Sequence, residues 1–202
     1  GTLALDLTRP DAGELIAARI RESGWFAEYL VNNAGIGLAG PFHEMQREDV
    51  LALLDLNVRV LTDLMLRFLP DMLAQARGGI LNVASLGGFV PGPYQAAYYA
   101  SKAYVVSLTQ AVAQEIEGQG VRLSVLAPGP VDTAFHARMR ADKAIYANVA
   151  GKVSARRVAR IGYANFMRWQ RVIVPGVLPT LAATVAPFVP AWLSAPFIGF
   201  IL

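Results

Sequence analysis

The sequence predicts an α/β fold in which a parallel β-sheet is covered by helices on both faces. Short apolar, strand-like runs alternate with longer helical stretches along most of the chain, separated by Gly, Pro and Asn. The 202 residues, 54% hydrophobic and 16% charged, are enough for one domain with a sizeable core.

Thr2-Leu3-Ala4-Leu5 reads as a strand ending at Asp6, and Thr8 as the cap of a helix with Pro10 and Asp11 in its first turn. That helix runs to Gly24, and Glu28 to Asn32 forms the next strand. Val50 to Leu69 is apolar nearly all round, which suits a helix packed on more than one side; Pro70 then kinks it before Gly78-Gly79. Ile80 to Val83 is a third strand, Ala96 to Glu117 a long helix, and Val121 to Leu126 a fourth strand stopped by Pro128-Gly129. Arg156 to Trp169 is helical, and Arg171 to Val174 makes a fifth strand. No repeat or linker divides these elements, so residues 1–202 read as a single domain, with 176–202 an apolar C-terminal segment.

Composition excludes several functions. Without cysteine there is no disulfide framework, thiolate metal site or thiol nucleophile, which is compatible with a reducing cytoplasm. A net charge of +3 from scattered basic residues gives no nucleic-acid footprint. His43 and His136 stand alone, so no metal site is expected. Gly1 to Asp6 lacks the basic start and long apolar run of a signal peptide. From Val172 onward no residue is charged, yet Pro179, Pro187, Pro190 and Pro196 interrupt the run. A folded lid or oligomer interface is favoured over membrane contact through residues 176–202.

Gly35-Ile36-Gly37-Leu38-Ala39-Gly40 spells GxGxxG, and a strand leads into it. Pro41 follows at once, however, and the next helical run begins only near Arg47, so a pyrophosphate cradle is not expected there. Tyr98 and Lys102, four residues apart on a helix, project from one face. A phenol with a pKa near 10 is a poor acid or base at neutral pH, but a neighbouring ammonium lowers that pKa toward the working range. Asn32 to Gly35, Ser85 and Pro128-Gly129 each follow the carboxyl end of a strand, where open parallel sheets bind ligands.

Asn32-Asn33-Ala34-Gly35, Asn57 between Leu56 and Val58, Ser85 after Asn82-Val83-Ala84, YxxxK at 98–102 and Pro128-Gly129 followed by Thr133 occur in that order. Together they resemble the short-chain dehydrogenase/reductase family over nearly the whole chain. The resemblance implies a Rossmann-type doubly wound sheet and hydride transfer between NAD(P)(H) and a carbonyl or alcohol substrate, with the uncharged tail suggesting an apolar one. It implies that Tyr98 exchanges the proton, Lys102 holds the nicotinamide ribose, Ser85 binds the substrate oxygen and Asn57 anchors a relay water. Asp6 and Leu7 would contact the adenine, and Asn32, Ala34 and Gly35 would lie along the adenosine. Pro128, Gly129, Val131 and Thr133 would border the nicotinamide, and Asn33 would tie neighbouring strands.

The family's TGxxxGxG loop does not occur before Asp6, which makes the chain N-terminally truncated on this reading, with two strands and their helices, roughly 50 residues, absent at ~30 per βαβ unit. In the order 3-2-1-4-5-6 the strand at 2–6 would then have no neighbour. The C-terminal pattern around Val153 to Arg156 and Arg171 to Gly176 resembles bacterial reductases, so NADP is preferred over NAD, in a homodimer or homotetramer built through the helices at 50–69 and 96–117. A catalytically inactive module of the same fold and a membrane-associated lipid reductase, peripheral to a membrane through its tail, are the alternatives.

Overall fold

The computed structural model describes residues 1–133, 135, 139 and 153–201; His136 lies outside them. Four parallel strands form the sheet in the order β1 (Tyr29–Asn32), β2 (Gly79–Val83), β3 (Arg122–Leu126) and β6 (Val172–Ile173). Short β4 (Val131–Asp132) and β5 (Val153–Ser154) pair in parallel beside it. The helices are α1 (Ala12–Glu22), α2 (Arg47–Leu54), α3 (Leu61–Ala74), α4 (Ala96–Glu115), α5 (Ala155–Met167), α6 (Val177–Val185) and α7 (Ala191–Ile201).

Side chains alternate across each strand, and the two faces bury different partners. Ile80, Leu123 and Val125 face α3 and α4, meeting Leu64, Phe68, Val105 and Val106. Leu81, Leu126 and Ile173 face the other way, against Val158 and Phe166 of α5. This is the doubly wound architecture that the alternation of elements predicts.

The expected strand at 2–6 does not form. Thr2 to Ala4 are exposed and pair with no strand, because an extended segment becomes a strand only when a neighbour supplies the ladder. Asp6 instead accepts the backbone N–H of Thr8 at 2.9 Å and its hydroxyl at 2.7 Å, closing a turn, and α1 begins at Ala12 instead of being capped by Thr8. The Thr8 hydroxyl, ahead of its backbone N–H, holds the Asp6 carboxyl below its usual pKa. On the open edge of β1, Tyr29 and Val31 remain 40% and 54% exposed.

The helix expected over 50–69 is longer and has a defect. It runs from Arg47 to Ala74 with a π-helical turn at Asp55–Val60, and Pro70 sits inside α3 without ending it. Behind it, the chain turns into β2 through Gly78, at φ 114°, where a Cβ would strike the carbonyl oxygen of Glu28.

A buried polar chain ties the sheet to α4. Asn32 and Asn82 are opposite in register; the Asn32 amide donates to Asn82 Oδ1 at 2.9 Å, and the Asn82 amide donates to Thr109 Oγ1 at 2.9 Å and Met65 Sδ at 3.2 Å. Asn82 is fully buried. The strand tie expected of Asn33 is therefore made by Asn32, while Asn33 is exposed, because neighbouring residues in a strand point to opposite faces. Replacing Asn82 by Ala leaves the Asn32 amide without its acceptor, while the Thr109 hydroxyl keeps its bond to the Val105 carbonyl, at a cost of about 1–3 kcal/mol. Urea unfolding of Asn82→Ala is expected to show that loss, with Asn33→Ala within about 0.5 kcal/mol of the parent.

Candidate active site

The site lies beyond the carboxyl ends of β1, β2 and β3, where the loops leaving the strands meet the first two turns of α4. Lys102 is buried and its Nζ donates to the carbonyl oxygen of Val83, the last residue of β2, at 3.0 Å. Tyr98, one turn earlier on the same face, is also buried, and Nζ lies 5.9 Å from its ring centre. Burial lowers the Lys102 pKa to about 8, so the group is still mostly charged at neutral pH.

Gly35, leaving β1, approaches this pair closely. A Cβ there would stand 3.0 Å from Asn57 Oδ1 and 3.4 Å from Lys102 Nζ, so a side chain would crowd the ammonium. Asn57 Oδ1 accepts the Ile36 N–H at 2.9 Å, while its Nδ2 donates to the Ile36 carbonyl at 2.8 Å and to Ser101 Oγ at 3.1 Å. Ser101 Oγ donates in turn to the Tyr98 carbonyl at 2.7 Å. The π-helical turn buries Asn57 at this junction. Both amide N–H groups are thus engaged, and the side chain clamps the glycine loop to the Tyr98 turn.

Ser85 follows β2 and its Oγ accepts the Gly87 N–H at 3.1 Å, while the Leu86 N–H donates to the Pro128 carbonyl at 3.0 Å. Gly129 packs on Leu86, where a Cβ would lie 3.2 Å from its Cδ1. The Ser85 and Pro128-Gly129 loops are thereby joined. Val131 and Thr133 follow, in and just past β4, with Val131 half-buried and Thr133 exposed. Asp6 and Leu7 are placed by the π-helical turn and the core: the Arg59 guanidinium donates to the Thr8 carbonyl at 3.1 Å, and Leu7 packs on the core cluster of α3 and α4. Ala34 is exposed on the loop after β1, and Asn32 turns its amide into the core, toward Asn82. No helix starts on Gly40, whose N–H donates to the Tyr94 carbonyl at 2.7 Å, so the GxGxxG spelling forms no anion cradle.

Apolar groups surround Tyr98. Phe135 lies 5.6 Å from its ring centre, and Leu38, Leu53 and Met139 pack in the same cluster, Met139 against Gly37. Ser101, Phe135 and Met139 are absent from the sequence expectations. Ser101 had a signal, three residues after Tyr98 on the same helix face; Phe135 and Met139 had none, since nothing local in the sequence ties them to Tyr98.

The residues fit a nicotinamide nucleotide. An ammonium has three N–H donors, and Lys102 directs one to Val83 with Gly35 leaving space beside it, so two remain for ribose hydroxyls.

Fold and site define a doubly wound α/β protein with a tyrosine–lysine pair at the carboxyl edge of a parallel sheet. Residues 2–144 match the family model for short chain dehydrogenase, and the chain belongs to that family. It is 37% identical over 134 residues to human 17-beta-hydroxysteroid dehydrogenase type 1, a match covering 66% of this chain and 40% of that protein. It spans about half the length of the curated relatives it matches. A short-chain dehydrogenase from Sphingobium yanoikuyae, solved with NADPH, superposes with a TM-score of 0.77 at 27% identity, covering 89% of this chain and 69% of that one. A Beutenbergia cavernae dehydrogenase structure with NADP bound at low occupancy gives 0.73 at 30% identity, over 86% and 74%.

The depressed pKa of Lys102 has a signed consequence for stability. Between about pH 8 and 10.5 the unfolded chain holds a proton that the folded chain has released, so stability rises with pH across that window. Denaturation midpoints measured from pH 7 to 10.5 are expected to climb in the parent. Lys102→Met is expected to be more stable than the parent at pH 7 and to show no such climb.

Proposed function

We propose that the protein is an NADP(H)-dependent oxidoreductase that interconverts an apolar carbonyl compound and its alcohol. The observation that carries this reading is Lys102, a buried ammonium with spare donors one turn from Tyr98 and beside Gly35. The bound nicotinamide supplies or accepts the hydride.

Each residue then has a definable task. Tyr98 gives its proton to the carbonyl oxygen in reduction and takes it back in oxidation. Lys102 holds the ribose and, as a nearby cation, favours the phenolate that remains on Tyr98. Ser85 donates to the oxygen on which negative charge grows, a contribution preorganised donors make to the transition state. Asn57 keeps the loop at Gly35 and Ile36 in place through its paired bonds to Ile36. Ala34 and Gly35 line the adenosine side, with Asp6 and Leu7 at the adenine. Pro128, Gly129, Val131 and Thr133 border the nicotinamide.

The apolar substrate is supported by Leu38, Leu53, Phe135 and Met139 around Tyr98. NADP is preferred because the Sphingobium and Beutenbergia structures carry it, NAD being the alternative. A homodimer or homotetramer through α3 and α4 belongs to the same proposal, supported by Leu66, 71% exposed on α3, and Tyr104, 38% exposed on α4. The lack of cysteine accords with a cytoplasmic setting.

Tyr98→Phe is expected to lower turnover by at least about a hundredfold while leaving NADPH binding, read by cofactor fluorescence, within about twofold. Ser85→Ala is expected to lower kcat by about a hundredfold or more with little change in cofactor affinity. A protein that binds no NADPH belongs to the inactive-module alternative, and a Tyr98→Phe variant that turns over normally removes Tyr98 from its assigned role.

A further inference from the structure

After β6 the chain leaves most of its large apolar side chains exposed. On α6 only Ala183 is buried; Thr180 and Thr184 border a cavity of about 580 Å³ against α4 and are themselves exposed, as are Val177, Leu178, Leu181 and Val185, which fall within an arc of about 100°. On α7, Ser194 is buried, while Trp192, Leu193, Phe197 and Phe200 are exposed within an arc of about 140°. Phe188 joins the two helices, 84% exposed. Soluble helices put the apolar stripe inward; these two put it outward. Isolated exposed apolar residues are ordinary, but nine large ones on two consecutive helices and the turn between them exceed the patch a lone soluble surface normally shows.

Charge selects the occupant. The chain has 18 Lys and Arg against 15 Asp and Glu, yet residues 153–202 hold five arginines and no acid, so residues 1–152 carry thirteen basic and fifteen acidic groups. Arg156, Arg157 and Arg160 are exposed and make no ion pair among the described residues. They lie in the first turns of α5, just after β5, at the carboxyl end of the sheet; α6 also starts there, beyond the carboxyl end of β6. A two-fold dimer through this face would set the patch and its arginines against themselves. An anionic bilayer surface meets both features, taking the apolar side chains at the acyl boundary and the arginines at the headgroups. Crossing the bilayer is not required: α6 and α7 have 9 and 11 residues, and no described helix is long and apolar enough to span it.

We infer that α6 and α7 form a docking surface for anionic lipid membranes, held in the interface plane with Trp192 and Phe188 inserted. This surface borders the candidate active site, since α7 packs at Gly199 against Pro93, five residues before Tyr98. The inference stands independently of the reaction proposed above.

The test is flotation of the full chain with vesicles of phosphatidylcholine alone and of phosphatidylcholine with phosphatidylglycerol. Binding is expected to be at least about tenfold stronger on the anionic vesicles and to weaken with salt. Arg156→Gln/Arg157→Gln/Arg160→Gln is expected to lose about a hundredfold on anionic vesicles only. Phe188→Glu/Trp192→Glu is expected to lose at least about tenfold on both. These side chains are exposed, so thermal unfolding by circular dichroism should match the parent. In the parent, tryptophan emission should shift to the blue on anionic vesicles, and Trp192→Phe should abolish the shift. A parent that stays with the soluble fraction overturns the inference, as do variants that float like the parent. Light scattering that shows Phe188→Glu/Trp192→Glu splitting a dimer while vesicle binding is unchanged assigns the face to a second copy instead.

Discussion

Burying an ammonium costs several kcal/mol unless its hydrogens find partners, and Lys102 meets that cost at one point of the fold. Its bond to Val83 reaches from α4 to the carboxyl end of β2, so the helix that carries Tyr98 is tethered where the central strands end. Gly35 is then confined to a side chain of hydrogen, because a larger residue would crowd Asn57 and Lys102 together. Asn57, turned inward by a π-helical turn, closes the arrangement by gripping Ile36 on one side and Ser101 on the other. Two strand ends, a π-helical turn and α4 thus converge on one cation.

The sheet supports this from below. Asn32, Asn82 and Thr109 run as a buried polar chain from β1 through β2 into α4, beneath the level at which Lys102 binds Val83. A polar chain in a core is favourable only when its members are paired, and here each amide has a partner. It also sets the register of β1 on β2, since Asn32 meets Asn82 only when the strands are paired as observed. On the opposite face, α5 covers Leu81, Leu126 and Ile173.

The segment after β6 follows a different logic. Thr180 bonds the carbonyls of Val174 and Gly176, and Thr184 bonds that of Thr180, so the polar groups of α6 are satisfied locally while its aliphatic residues face outward. Such a helix gains little from the protein it rests on. In the docking inferred above, the surface that covers it is an anionic bilayer, whose headgroups the arginines of α5 meet at the same end of the sheet.

The sequence by itself determined the alternation of the four sheet strands with α1, α3, α4 and α5, the strand ends that carry Gly35, Ser85 and Pro128, and the common face of Tyr98 and Lys102. These follow from periodicities of two and 3.6 residues and from local punctuation by Gly and Pro, which act within a few residues. Other features needed the tertiary structure. Residues 2–5 have a strand's composition but gain no ladder, because pairing depends on a distant neighbour. Which of Asn32 and Asn33 ties the strands is set by the face that packs on α4, and that Asn57 clamps Ile36 is set by a π turn that no local pattern announces. Phe135 and Met139 reach Tyr98 from more than thirty residues further along the chain, and the burial that lowers the Lys102 pKa arises only when strand, loop and helix close around it. The covalent order supplied the chemical groups, and long-range packing decided which of them share a low-dielectric space.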